Sequence, residues 1–277
     1  MPSCGGDARR VRADRARGAH VNPWLERYIS TALRARTVRE SARFAVRELW
    51  GGPRLAGYRV RENGLRIFVR HRTPDIFTLD QAFYQRHFDP PPEVGDILNR
   101  RSPLSILDLG ANIGLFSIAM LGRYPGSTVT AFEPDEQNAD VLTRVIEASA
   151  ESWTLVRACA TAQDGTVGFS SGGFGVSHTS ADGEKVRAVD VFPHLASADL
   201  AKIDIEGSEW ELLTDERFNR VPTPVLHLEY HPRNAPSPDP ESAAVEAVER
   251  AGYAHGPVLT TVEGAGMLWA WRPEMQR

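Results

Sequence analysis

Five side chains able to move a proton or hold a cation crowd into two short stretches of this chain. Asp204, Glu206 and Glu209 lie in "KIDIEGSE", and Glu229 and His231 lie in "LHLEYHP". Carboxylates beside an imidazole suit proton removal from a hydroxyl. An unperturbed imidazole titrates near pH ~6.5, so His231 can accept a proton at neutral pH, with Asp204 or Glu229 to orient it. The same oxygens and nitrogen could hold a hard cation such as Mg²⁺, although no spacing here is specific to a metal. Each residue also has a plainer use. Lys202 can pair with one of the acids, Glu206-Gly207 can make a turn, and Glu209 suits the first turn of a helix.

A second constellation lies upstream, in "ILDLGANIGLFSIAML" at positions 106 to 121. An apolar run ends at Asp108, then Gly110, Asn112 and Gly114 lead into a second apolar run. Gly110 permits a sharp turn, and a bare Gly114 lets helix and strand pack closely. Glu133 closes the next strand, where a carboxylate can accept hydrogen bonds from both hydroxyls of a ribose. These features describe a nucleoside site. The dinucleotide fingerprint G-x-G-x-x-G is not met, because position 112 is Asn. A cofactor with adenosine but no phosphates fits better, and S-adenosylmethionine is such a molecule. Its amino-acid tail can lie over the Gly110–Asn112 backbone while Asp108 helps to bind the ammonium.

The elements that must position these residues alternate. From position 104, short apolar runs ("LSILDLG", "STVTAFEP", "WTLVRAC", "ADLAKIDIEG", "PTPVLHLEYHP") are interleaved with helical patterns to about 123 and over 135–149, 208–213 and 240–251. "GMLWAWR" is a late strand. Such alternation predicts a mostly parallel sheet with helices on both faces. Residues 166 to 189 interrupt it with two strands around the loop "SGGFGVSHTSADG", a candidate substrate lid with Phe174 and His178 facing the acceptor. Upstream, the spacing of Tyr28, Leu33, Phe44 and Leu49 predicts one or two helices within 22–49. "GYRVRENGLRIFVRH" predicts a hairpin of Tyr58–Arg61 and Leu65–Val69 turning at Asn63-Gly64. Pro90, Pro91 and Pro92 separate this leader from the core. The chain thus divides into three segments: a tail over 1–20 expected to be disordered, helices and a hairpin over 21–100, and the nucleoside-binding domain over 101–277.

The chain resembles the FkbM family of S-adenosylmethionine-dependent methyltransferases. The residues that carry the likeness are "DLGANIGLFS" (108–117), "AFEPD" (131–135), "DLAKIDIEGSEWELL" (199–213) and "LHLEYHP" (226–232), with "TPDIFTLDQAF" (73–83) ahead of the core. The resemblance implies a class I methyltransferase, Rossmann-like fold: a seven-stranded sheet whose last strand is antiparallel. It implies methyl transfer to a hydroxyl of a sugar or natural-product scaffold. Carried over, Gly110, Ala111, Asn112 and Gly114 shape the methionine pocket, Ser117 matches the turn-and-helix pattern, and Glu133-Pro134 meets the ribose. Asp164-Gly165 stands where such folds place adenine contacts, or simply makes a turn. Asp204 lies beside the sulfonium. N-methylation, a nicotinamide-dependent oxidoreductase and a non-catalytic nucleoside-binding scaffold stand as alternatives.

Bulk properties bound the partners. A net charge of -4 gives no reason to expect nucleic acid or an anionic membrane. No apolar run is long enough to span a bilayer, and Arg9-Arg10 is not followed by the apolar stretch of a secretory signal. Two distant cysteines, Cys4 and Cys159, suggest no disulfide framework and fit a reducing cytoplasm. The expected partner is a small-molecule acceptor. Trp24, Tyr28 and Phe44 on the N-terminal helices could also cover a second subunit.

Overall fold

The computed structural model describes residues 23–170, 178–179, 183–260 and 264–273. The expected tail and Phe174 lie outside them. Two helices open the chain, α1 (Pro23–Ala35) and α2 (Ser41–Trp50). A hairpin comes next, β1 (Leu55–Arg59) and β2 (Arg66–Arg70), with Leu55 opposite Arg70 and Arg59 opposite Arg66. Its first strand starts earlier than the sequence pattern predicts. The regular pairing ends at Arg59, and Val60 N–H donating to Leu65 O at 2.9 Å closes the turn. Gly64 takes φ +76° there, and the Asn63 side chain accepts from Leu65 N–H at 2.9 Å.

The segment leading into the core holds two helices, α3 (Asp75–Phe83) and α4 (Pro92–Arg101). Pro92 is the first residue of α4 rather than a linker. A helix's first residue has an unused N–H in any case, so proline costs nothing there.

The core then alternates as expected: β3 (Ser105–Leu109), α5 (Leu115–Arg123), β4 (Thr128–Phe132), α6 (Glu136–Glu147) and β5 (Ser152–Val156). "WTLVRAC" divides here. Its end starts β6 (Cys159–Thr161), which joins β7 (Gly165–Ser170), β8 (His178–Thr179) and β9 (Glu184–Asp190) in a separate sheet ordered β6-β9-β7-β8. After α7 (Phe192–Leu195) come β10 (Leu200–Ile203), α8 (Glu209–Thr214), β11 (Val225–Tyr230), α9 (Pro240–Arg250), β12 (Ala254–His255), β13 (Leu259–Thr260) and β14 (Gly266–Trp271).

The main sheet runs β12-β14-β11-β10-β3-β4-β5. β14 is antiparallel to β11, while β11, β10, β3, β4 and β5 are mutually parallel. This is the class I methyltransferase, Rossmann-like order. The outer edge differs from a plain seventh strand. It is broken into β12 against Ala270–Trp271 and β13 against Gly266–Met267.

Alternating strand residues feed two cores. On one face Ile106, Val129, Leu200 and Val225 pack with α5 and α6. On the other, Leu107, Ala201, Leu226 and Leu268 pack with α8 and α9. Phe44, Tyr58, Ile67 and Leu79 join the first core, so the N-terminal segment is continuous with the sheet. Phe44 is fully buried, against Tyr58 and His71, and offers nothing to a second subunit. Tyr28 remains 42% exposed and Trp50 68%. Among the described residues no helix is long and apolar enough to cross a membrane.

The chain leaves β3 towards β4 and β5, and later returns to lay β10 on β3's other side. Ligands of open parallel sheets bind beyond the strand ends at such a reversal.

Candidate active site

The turn after β3 is built tightly. Gly110 takes φ +75°, and a Cβ there would lie 1.8 Å from the carbonyl oxygen of Asp204. The glycine is therefore required first by the neighbouring strand end of the same chain. Gly110 N–H and Ala111 N–H both donate to Phe132 O, at 3.1 and 2.9 Å. Asn112 turns the chain at φ +50°, a left-handed conformation that Asn tolerates better than most residues. At Gly114, φ +83°, a Cβ would meet Leu142 Cδ1 at 2.7 Å, so the close packing there is against helix α6 rather than the helix-on-strand contact expected.

A cleft opens at this reversal, lined among others by Gly110, Asn112, Glu133, Pro134, Asp204 and Glu206. Glu133 accepts Asn112 N–H at 2.7 Å and Asp135 N–H at 2.9 Å. Burial pushes its carboxyl up to about 7, against the pull of those two amides. A carboxylate so placed keeps lone pairs for two further donors.

Several expected contacts lie elsewhere. Asp108 is fully buried and is not in the cleft lining. Ser117 Oγ donates to it at 2.5 Å, and Lys202 Nζ stands 3.8 Å from its other oxygen. Ammonium binding by Asp108 is therefore corrected to an internal anchor, because its oxygens face the sheet and α5. Ser117 and Ala111 are likewise buried, and they, with Gly114, stand behind the cleft rather than in its lining. Asp164 accepts Asp190 N–H at 3.1 Å in the bend before β7, and Gly165 is the first residue of that strand; neither is in the cleft lining. Cys159, Ala160 and Phe169 line that side of the cleft instead. His178 is described only as part of β8.

The acids and the imidazole meet at the ends of β10 and β11. Lys202 Nζ lies 2.8 Å from Asp204 Oδ2 and donates to Gly110 O at 3.0 Å. Burial would lower its pKa, but Asp204 and Asp108 outweigh that and raise it. Asp204 is lowered: burial acts to raise it, and the charges of Lys202 and His231 prevail. Glu206 sits at φ +54°, a strained backbone of the kind that collects at functional sites. Burial, then the charge of Asp204, pushes Glu206 up to about 7 and Glu229 up to about 8.

Glu209 is fully buried. It accepts His231 N–H at 2.7 Å and Gly207 N–H at 2.8 Å, so it ties the two strand ends together. Its Oε1 is also 3.2 Å from His231 Nδ1, and His231 Nε2 lies 3.5 Å from Glu206 Oε2. Burial acts to lower the His231 pKa, but Glu209, Asp204 and Glu206 drive it up to about 10. His231 is thus an imidazolium at neutral pH. These acids favour the protonated ring over the neutral base that the sequence suggests.

One oxygen or nitrogen from each of Asp204, Glu206 and His231 lies within 4.8 Å of the others. Sequence reasoning missed Asn138, Phe169 and Cys159 in the cleft. It also missed His227, fully buried among Phe88, Phe116 and Trp269, where burial lowers its pKa to about 3. Asn138 carried one usable signal: it sits three residues after the Asp135 helix cap, in the first turn of the helix that follows Glu133.

No protein-family model matches the chain. A methyltransferase, sdnD of Sordaria araneosa, is 51% identical over 49 residues, which is 18% of this chain and 19% of that protein. The chain therefore matches less than a fifth of that curated relative. Among solved structures, a precorrin-6y C5,15-methyltransferase from Geobacter metallireducens aligns over 65% of this chain and 86% of its own, at 18% identity and TM-score 0.40. A magnesium protoporphyrin IX methyltransferase from Synechocystis, solved with bound S-adenosylmethionine, aligns over 69% and 80%, at 14% identity and TM-score 0.41.

Proposed function

We propose that this chain is an S-adenosylmethionine-dependent methyltransferase of FkbM type, acting on a hydroxyl of a small molecule such as a sugar or natural-product scaffold. The observation that carries the reading is the cleft itself. The Gly110–Asn112 turn, the Glu133 carboxylate and the Asp204–Glu206 strand end line one cavity at the reversal of a class I sheet. The residues suit the cofactor. Glu133 would receive the ribose hydroxyls, the Gly110–Asn112 backbone would receive the amino-acid end, and Asp204 would lie towards the sulfonium. When bound, S-adenosylmethionine supplies a methyl group already activated by its positive sulfur.

The chain's own residues then have to place the acceptor and take its proton. Glu229 is the base in this reading: it stands outside the cleft lining but feels the charges of Asp204 and Glu206, which line it. Its pKa, raised to about 8, matches proton uptake near neutral pH better than an ordinary carboxylate does. Among the described residues no hydrogen bond occupies it. His231, as an imidazolium held by Glu209, offers an N–H and a positive charge that steady Glu206 and Asp204.

A second reading rests on the convergence of Asp204, Glu206 and His231 within 4.8 Å. Those donors suit a divalent cation such as Mg²⁺, which would replace the imidazole proton and polarise an acceptor hydroxyl.

Calorimetry with S-adenosylhomocysteine tests the cofactor. We expect stoichiometric binding without added metal, and no binding of a nicotinamide dinucleotide; the reverse pattern would overturn the reading. With an acceptor in hand, Glu229→Gln should lower turnover by roughly 10²–10⁴-fold and leave S-adenosylhomocysteine affinity unchanged. Activity abolished by EDTA and restored by Mg²⁺ would favour the cation instead.

A further inference from the structure

The N-terminal hairpin reaches the nucleoside cleft through one side chain. Arg70 ends β2 and donates through Nε and Nη2 to both oxygens of Asp75, at 2.9 and 2.8 Å. The same Nη2 donates to Asn138 Oδ1 at 2.6 Å, across 68 residues of sequence. Asp75 is buried and also accepts Arg70 N–H at 2.8 Å, so the fork has little freedom.

A guanidinium only donates. The Asn138 atom facing it must therefore be the amide oxygen, and the NH₂ must point the other way. That other side is the cleft: Asn138 lines it together with Glu133, and its amide favours the ionised form of the Glu133 carboxyl. Glu133 thus receives two backbone amides in fixed directions, with the Asn138 amide beside it in the cleft lining. Its carboxylate keeps lone pairs for two further donors.

We propose that Arg70 and Asn138 are positioning residues for recognition of a nucleoside's vicinal ribose hydroxyls. Arg70 orients the Asn138 amide beside Glu133, where it favours the ionised carboxylate that would accept both hydroxyls. The inference rests on the cofactor reading above and adds a role for the N-terminal segment in it. A ligand lacking one hydroxyl leaves part of the preset carboxylate unmatched, so the arrangement selects ribose over deoxyribose.

The test compares S-adenosylhomocysteine with its 2′-deoxy and 3′-deoxy analogues by calorimetry, on wild type, Asn138→Asp, Arg70→Gln and the double variant. Asn138→Asp keeps an oxygen for Arg70, which protects the fold, but places a second oxygen against Glu133. We expect it to weaken S-adenosylhomocysteine by about tenfold or more and the deoxy analogues far less, which collapses the ribose preference. Arg70→Gln should lose the same preference, and the double variant should be no worse than the stronger single change. Circular dichroism and melting identify any variant that has lost its fold. Variants that retain full affinity, or that lose ribose and deoxyribose ligands by one common factor, would overturn the positioning role. A wild-type chain that binds none of the three ligands would instead overturn the cofactor reading.

Discussion

Two titrations separate the roles of single residues. Glu133 is an acid whose folded pKa, about 7, lies above its ordinary 4.5. The unfolded chain therefore releases this proton first, so this group's contribution to stability falls between about pH 4.5 and about pH 7 and is constant above. Ribose hydroxyls donate to the ionised form and favour it. S-adenosylhomocysteine affinity should consequently rise between about pH 6 and about pH 8 in wild type. In Glu133→Gln it should be weaker and flat. An equally steep rise in the Gln variant would place the titration on another group. His231 has the opposite sign. Its folded pKa of about 10 exceeds 6.5, so its stabilising contribution is complete below about pH 6.5 and is lost as pH climbs through about 10. Ring NMR should find His231 protonated at about pH 8, and Glu209→Gln should move its titration down. A neutral ring at that pH in wild type would restore the simple base. Composition shows that an acid cluster exists, but not its proton inventory. His231 owes its charge to Glu209, 22 residues away in sequence, and no local pattern reports that contact.

At the scale of elements, the legible features are those that repeat locally. The alternation of β3, α5, β4 and α6, the late strand β14 and the turn glycines all arise from periodicity and backbone freedom within short windows. The illegible ones depend on which element lands where. "WTLVRAC" has one apolar pattern yet feeds two sheets, because the chain leaves the main sheet at Arg157 and Cys159 pairs with Ala188. Asp108 resembles a ligand because it ends a strand, but Lys202 lies directly beside it across β3 and β10. The turn after β3 shows how elements set one another's residues. Gly110→Ala would combine a left-handed backbone, which costs about 1–2 kcal/mol, with a Cβ 1.8 Å from Asp204 O. The variant should melt markedly lower than wild type. It should also weaken S-adenosylhomocysteine beyond what lost stability explains, since β10 must retreat and carry Asp204 with it. Wild-type affinity in a folded Gly110→Ala protein would show that the cleft tolerates movement of that strand end.

At the scale of the whole molecule, the leader and the sheet form one structural unit. Sequence patterning separates residues 21–100 from the alternating core, and the prolines look like a boundary. The packing runs across it. Phe44, Tyr58, Val69, Leu79 and Leu98 belong to the same buried cluster as Ile106, Leu115 and Leu142. A polar chain supports that cluster from within, with Tyr58 Oη 2.6 Å from His71 Nε2 and His71 Nδ1 2.9 Å from Glu48 Oε2. Asn63 Nδ2 at the hairpin tip donates to Ile118 O in α5 at 3.3 Å, and Arg70 holds Asn138 in α6. A domain attached by a linker would unfold separately; a segment that shares a core cannot. Phe44→Ala removes a fully buried ring packed on Tyr58 and His71, outside the cleft lining, and should cost about 3–5 kcal/mol. Calorimetric and fluorescence melting should each show a single transition shifted down, with S-adenosylhomocysteine binding lost over the same temperature range. Two transitions, with the ligand raising only the upper one, would mean that the leader folds by itself and that Arg70 reaches the cleft from a separate unit.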